Sequence, residues 1–412
     1  GAIGDGRWRR AWTAHQVAVR RLVGLALGLG AFGLYWWVGP TQAGTDAYIP
    51  LADAMLHGRV SLDPMHYTWV ELALYRGGWF VPFPPVPAVV LLPFVAVFGQ
   101  TFDTNLTAAI AGGIGVWLMW GMLRQLGLNL RSALALTVAW AVGSEVFWAS
   151  AVGGTHLFAE TLAATLLLAT LRLALARRAP ILAGLLLGAA IGCRLPLVFA
   201  LPLVVGLYVG LPTRIGRPSA RQLSRVVEIG FGLAGPALMI AVYNYARFRS
   251  PIEFGYGLIT SRDGHSVLEE PWYSHGIVSP LYLPGGLWAM LGKPWDIVGE
   301  FPWLHPTWAG QAVTFTTPLL VWLARARFRN PLVAYALVSA ALILLVDLIH
   351  GGTGYAQFGY RFIVDGLPVL WLVLATVFRD GLGRWAVVAG ALGIAAFAYG
   401  MVAIWGFNYV GS

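Results

Sequence analysis

Apolar runs of about 18 residues or more recur along the whole length of this chain. A run of that length can cross the hydrocarbon of a bilayer as one helix, and several in series describe a polytopic membrane protein. Composition agrees: 58% of the 412 residues are hydrophobic and 11% are charged, whereas a soluble domain carries about 25% charged residues. One cysteine, Cys193, excludes an internal disulfide and a thiolate zinc cluster. The formal net charge of +9 fits arginine-rich cytoplasmic loops and does not call for nucleic acid. No internal repeat or low-complexity tract is visible, so 1–412 is expected to be a single membrane-embedded domain.

Eleven spans are expected, near 22–39, 106–123, 133–151, 157–175, 181–193, 196–212, 228–246, 311–324, 331–349, 363–378 and 385–405. The first follows Arg20 and Arg21 and has the flanks of a signal sequence, but ten spans come after it, which favours a retained anchor. The chain begins at Gly1 rather than Met, as a trimmed or tagged chain would. The segment 81–99 is apolar but carries Pro82, Pro84, Pro85, Pro87 and Pro93. Proline removes a backbone donor and breaks a helix, and lipid-exposed broken backbone is not tolerated in hydrocarbon. This segment is therefore expected to lie at the interface as a surface helix.

The positive-inside rule supports that choice. With 81–99 not spanning, only Arg59, Arg76, Arg194, Arg247, Arg249, Arg262, Lys293 and Arg361 of the 27 basic residues face outward. The acids sort the other way. Of the 18, only Asp5, Glu228 and Asp380 fall inside. Acids hardly steer topology, so the asymmetry points to acid–base chemistry on the outer face. Two long outer segments carry it, 40–105 and 247–310.

Four stretches, "TDAYIPLADAMLHGRVSLD" (45–63), "YRGGWFVPFPPVPAVVLLPFVAVFG" (75–99), "YNYARFRSPIEFGYGL" (243–258) and "GYAQFGYRFIVDGLPVL" (354–370), occur in an order and topology that resemble the GT-C superfamily of membrane glycosyltransferases. The likeness is to the protein mannosyltransferase and aminoarabinose transferase branch. It implies an all-α GT-C-like bundle whose long first extracytoplasmic loop holds interfacial helices. It also implies transfer of a hexosyl or pentosyl group from a polyprenyl-phosphate donor to a glycan, lipid or protein acceptor. In that family the acid just after the first span is the catalytic base, here Asp46. The first outer loop has no paired D-x-D or E-x-D, which favours the metal-independent branch with no cofactor, and a monophosphate carrier with one base favours inversion over retention. Arginine in place of lysine suggests a GC-rich bacterium, hence a multi-pass inner-membrane protein with its site on the extracytoplasmic side.

The residues support such chemistry on their own terms. A carboxylate placed opposite a leaving phosphate takes the proton of an attacking hydroxyl. Asp46 stands where one is needed, although Thr45 or Asp46 would equally cap the helix that follows. Asp53, seven residues on, faces roughly the same way on a helix, and Glu71 is placed to bind substrate hydroxyls. Phosphate suits the planar fork of arginine, and charges at span ends usually have a partner or ligand. Arg361, Arg194 and Arg247 are the candidates, with Asp365 four residues from Arg361 a possible ion-pair partner. His156 and Glu160 share one helical face. Two ligands are too few for a metal, so they are taken as substrate hydrogen-bonders or as a polar pair between helices. Asn244, Tyr256 and Gln357 are weaker sugar contacts. The tryptophans of 268–310 are expected to form an interfacial belt. A lipid-linked glycan polymerase or ligase is the nearest alternative. A transporter is less favoured, because its polar site would lie at mid-membrane between repeats.

Overall fold

The computed structural model describes residues 4–40, 46–63, 71–214, 216–261 and 263–410, with side chains from residue 18 onward. Thr45 and Arg262 lie outside the described residues.

The chain is a bundle of α-helices that pass between two ends. One end carries the long segments (the loop end), and the other carries short connections rich in arginine. The long helix α1 (Gly4–Val38) leads into α2 (Tyr48–Leu56), a small antiparallel sheet of β1 (Ser61–Leu62), β2 (Ala73–Tyr75) and β3 (Gly78–Phe80) with β3 in the middle, and α3 (Val86–Phe98). Both ends of α3 stay at the loop end. The Val86 amide donates to the Gly192 carbonyl at 3.1 Å. Just past the other end, Gln100 donates to Asp53 at 2.7 Å. The proline-rich segment therefore does not cross the bundle.

Helices α4 (Thr104–Gln125) and α7 (Gly154–Ala176) form the centre. The 22 residues of α4 rise about 33 Å, the thickness of a bilayer core. Between them run α5 (Leu130–Val142) and α6 (Glu145–Val152). The Asp103 carboxylate caps α4 and the Asn129 amide caps α5, satisfying amides that a helix start leaves orphaned. Then follow α8 (Pro180–Ile191), α9 (Leu201–Val209), the 29-residue α10 (Ala220–Phe248), the short α11 (Leu283–Leu287) and α12 (Val313–Thr316), and α13 (Pro331–Leu348), α14 (Ile363–Val377) and α15 (Arg384–Met401). In lipid the hydrophobic effect does not drive helix pairing, so close approach at small residues does. A Cβ on Gly28 of α1 would stand 2.8 Å from the Gly113 carbonyl of α4, a contact open only to glycine.

Among the described residues, six helices are long and apolar enough to cross a membrane, or seven if a bent pair counts as one. Two expected spans are corrected. The predicted helix 133–151 is α5 and α6, bent by 49° at Gly143 and Ser144, where the Ser144 hydroxyl donates back to the Trp140 carbonyl at 2.7 Å. The predicted helix 311–324 is instead α12, a break at Thr317 and a tighter 3-10 stretch over Pro318–Arg325. It packs against α14 and α15, and irregular backbone at membrane depth is stable where protein covers it. Helices over Pro180–Ile191, Leu195–Val209 and Ile363–Val377 are apolar but shorter than a full span.

Candidate active site at the loop end

The loop after α1 brings Asp46 to the start of α2. Its Oδ1 accepts from the amides of Tyr48 at 2.7 Å and Ile49 at 3.1 Å. The carboxylate therefore does cap the helix, one of its two sequence readings. Its Oδ2 is buried and has no partner with hydrogen-bond geometry, and the Thr104 hydroxyl is its polar neighbour. The next amide, Ala47, donates to Thr155 at 2.8 Å, which ties α2 to the start of α7. Burial pushes the Asp46 carboxyl above its ordinary value, against the nearby Thr104 hydroxyl and the amide hydrogen bonds of Ile49 and Tyr48. Capping by one oxygen thus orients the other.

One residue past Thr155, His156 meets Glu71, with Nε2 and Oε2 3.3 Å apart. The Phe83 ring packs edge-on against the imidazole at 4.8 Å and reaches Tyr256 at 6.1 Å. The Glu71 side chain is more than half exposed, so desolvation weighs little on its carboxyl. The His156 contact, with Arg361 and His350 nearby, holds the group below its ordinary value. His156 therefore pairs across to the first loop and not along its own helix with Glu160.

Three guanidiniums stand behind these residues, and they differ sharply. Arg194, in the break between α8 and α9, is held by two acids. Its Nε lies 2.8 and 3.1 Å from the Asp365 carboxylate, and its Nη2 lies 3.3 Å from Asp347. Arg247 is 2% exposed. It donates to Asn244 at 2.6 Å and to the Val81 carbonyl, and it lies over the Tyr243 and Phe248 rings. Asn244 in turn donates to the Pro251 carbonyl at 3.1 Å. Arg361 is the least satisfied. Its nearest acid is Glu160 at 3.9 Å, its side chain makes no other polar contact among the described residues, its Nε, like that of Arg247, is buried without a partner, and it lies 4.9 Å over the Phe362 ring. The expected pairing of Arg361 with Asp365 is corrected: Asp365 belongs to Arg194, because the turn before α14 carries Arg361 toward α7 instead.

The remaining candidates separate. Gln357, fully buried, donates to Ala309 at 2.9 Å and Thr353 at 3.1 Å and accepts from the Arg361 amide at 3.3 Å. It closes a parallel strand pair, Ala309–Gln311 with Gln357–Gly359, that sets the position of Arg361. Asp53 lies on the exposed side of α2 with Gln100 and His57. Tyr256 is within electrostatic reach of Arg194, Arg247 and Glu71, and burial raises its hydroxyl.

Sequence reasoning missed Glu145 and Asp347. Glu145 is 1% exposed at the bend of α5 and α6, and neither carboxylate oxygen has a partner. An acid inside an apolar run was the available signal. His350 was also missed, as was its pairing with Tyr273. They face each other at 3.5 Å beside the Phe362 ring. A cavity of about 670 Å³ lined by Asn129, Arg131 and Leu382 lies at the opposite end, away from this cluster.

No family model and no curated protein matches the sequence. Two solved structures match the fold. One is ArnT from Cupriavidus metallidurans bound to undecaprenyl phosphate, with a TM-score of 0.51 and 17% identity over 92% of this chain and 63% of that chain. The other is ArnT from the same organism in the apo state, with a TM-score of 0.51 and 18% identity over 97% of this chain and 66% of that one. The chain thus spans just under two thirds of the length of these neighbours. It is a multi-pass, mainly α-helical membrane protein with an ArnT-like fold.

Proposed function

We propose that this protein transfers a sugar from a polyprenyl-phosphate donor to an acceptor hydroxyl at the extracytoplasmic face, with inversion and without a metal. The observation that carries this reading is the pairing of two unfinished groups at one end of the bundle. Asp46 has one oxygen anchored and one without a partner, and Arg361 has a buried Nε without an acceptor. The neighbour's complex with undecaprenyl phosphate supports a polyprenyl phosphate as the ligand of this fold. The absence of a paired acidic motif from the first loop supports metal independence.

In this reading the acceptor oxygen attacks the anomeric carbon and its proton passes to Asp46. The bond from that carbon to the phosphate oxygen breaks, and its electrons stay on the phosphate. Arg361 holds the departing phosphate, whose charge grows as the bond breaks, so the contact strengthens in the transition state. Glu71, oriented by His156, accepts hydrogen bonds from sugar hydroxyls. Arg194 and Arg247, already engaged with protein partners, shape the wall behind Arg361 and add positive potential.

The test is sugar transfer by the purified protein from synthetic polyprenyl-phosphate mannose, glucose, galactose and arabinose, with membrane extract as acceptor source. Transfer should fall about 10²- to 10⁴-fold in a well-folded Asp46→Asn variant. Transfer that survives the substitution moves the base to Glu71 or Asp53. No transfer from any donor overturns the reading in favour of a pyrophosphate-linked polymerase or a transporter.

A further inference from the structure

The opposite end of the bundle gathers arginines without acids. Arg20 on α1, Arg124 on α4 and Arg172 on α7 all lie within a few residues of one end of the apolar spans Ala18–Val38, Thr104–Gln125 and Gly154–Ala176. They share one membrane boundary. Trp120 donates to the Arg20 carbonyl at 2.9 Å. The Arg124 guanidinium lies 5.9 Å over Trp120, and that of Arg172 lies 5.8 Å over Trp117. Arg172 passes across Gly121, whose missing Cβ leaves it room.

These cations are poorly satisfied. The Nε atoms of Arg124 and Arg172 are both buried without a partner. The Arg124 side chain donates to the Leu128 carbonyl. Among the described residues, no carboxylate forms an ion pair with Arg20, Arg124 or Arg172. Glu228, one of the few acids expected at this end, is taken by Arg225 at 3.3 Å. A half-buried guanidinium that rests on an indole with its Nε buried and unpartnered favours an anion at its outward donors. The surface beside them is apolar: Leu22, Leu25 and Leu29 of α1 and Ile114 and Trp117 of α4 are exposed along the same helices. A phosphate at the arginines would continue naturally into an acyl chain along that face.

We propose that Arg124 and Arg172, with Arg20, form a binding site for the phosphate of an anionic phospholipid, its acyl chain lying on the exposed face of α1 and α4. The site stands apart from the loop-end cluster and does not depend on the transfer reaction.

The test is native mass spectrometry of the full chain released from detergent micelles, with phosphatidylglycerol and phosphatidylcholine as competing probes. Phosphatidylglycerol should be retained preferentially. The preference should fall about fivefold for Arg172→Gln alone and further for Arg124→Gln with Arg172→Gln. A matched Arg325→Gln with Arg327→Gln variant should keep it. Inorganic phosphate at millimolar concentration should not displace the lipid. Equal retention of both lipids by the wild type, an unchanged preference in both Arg172 variants, or displacement by inorganic phosphate overturns the proposal.

Discussion

Four arginines, two at each end of the bundle, are held in contrasting ways. At the loop end, Arg194 is clasped by Asp365 and Asp347 and Arg361 is turned toward Glu160. At the other end, Arg124 and Arg172 lie on tryptophan rings with no carboxylate partner among the described residues. A guanidinium held by fixed acids is a positioned group, usable against a substrate whose geometry matters. A guanidinium resting on an aromatic face keeps its donors for whatever anion the membrane surface supplies. The same contrast exists within the loop end, between the satisfied Arg194 and the unfinished Arg361.

Removing the best-held arginine should have the largest effect on stability. Arg194→Ala leaves Asp365 and Asp347 buried and unpaired, and should cost about 3–5 kcal/mol in detergent unfolding. Arg131→Ala at the other end, where the side chain is exposed, should stay within about 0.5 kcal/mol. Equal losses would erase the distinction between the ends. Arg361→Gln should cost less stability than Arg194→Ala, because its contact with Glu160 is the longer one at 3.9 Å, and it should weaken donor use about 10- to 100-fold in kcat/KM, the worth of a charge-assisted hydrogen bond of about 1.5–3 kcal/mol.

The pH profile sharpens the assignment of the base. Burial raises the Asp46 carboxyl, so its ionised form is lost at a higher pH than an ordinary aspartate's. The acid limb of kcat/KM should therefore lie above the ordinary value of 3.8. It should stay there in Glu71→Gln, whose carboxyl is shifted the other way. A limb that moves with Glu71 would transfer the role. Stability shows the opposite sign for Glu71. Its lowered carboxyl stabilises the fold above the ordinary value of 4.5, and that contribution is lost as pH falls through the folded value. The smallest effect is expected from Asp53→Asn, which should alter neither transfer nor stability by more than about 0.5 kcal/mol.

Sequence reading reached furthest where a local rule applied. The prolines of 81–99 kept α3 at one end, and the placement of Asp46 after the first span carried both its capping bond and its free oxygen. It failed where distant partners decide. Arg194 finds Asp347 and Asp365 at sequence separations of 153 and 171, which no spacing rule anticipates. Arg361 and Asp365, four apart, look paired on a helical wheel, but the helix begins only at Ile363. The helix expected at 311–324 was undone by Pro318 and by cover from α14 and α15, which makes irregular backbone tolerable. Glu145 was overlooked because the bend that turns it inward lies at Gly143 and Ser144, inside what reads as one apolar run.

The most direct test of the account asks where the donor phosphate sits. The purified protein would be cross-linked with an undecaprenyl phosphate analogue bearing a photoreactive group beside the phosphate, and the labelled peptides mapped by mass spectrometry. The account expects labels near Arg361 and Glu71, reduced in Arg361→Gln and untouched in Arg172→Gln. Labels confined to peptides around Arg124 and Arg172 would contradict it and reduce the loop-end cluster to a structural core.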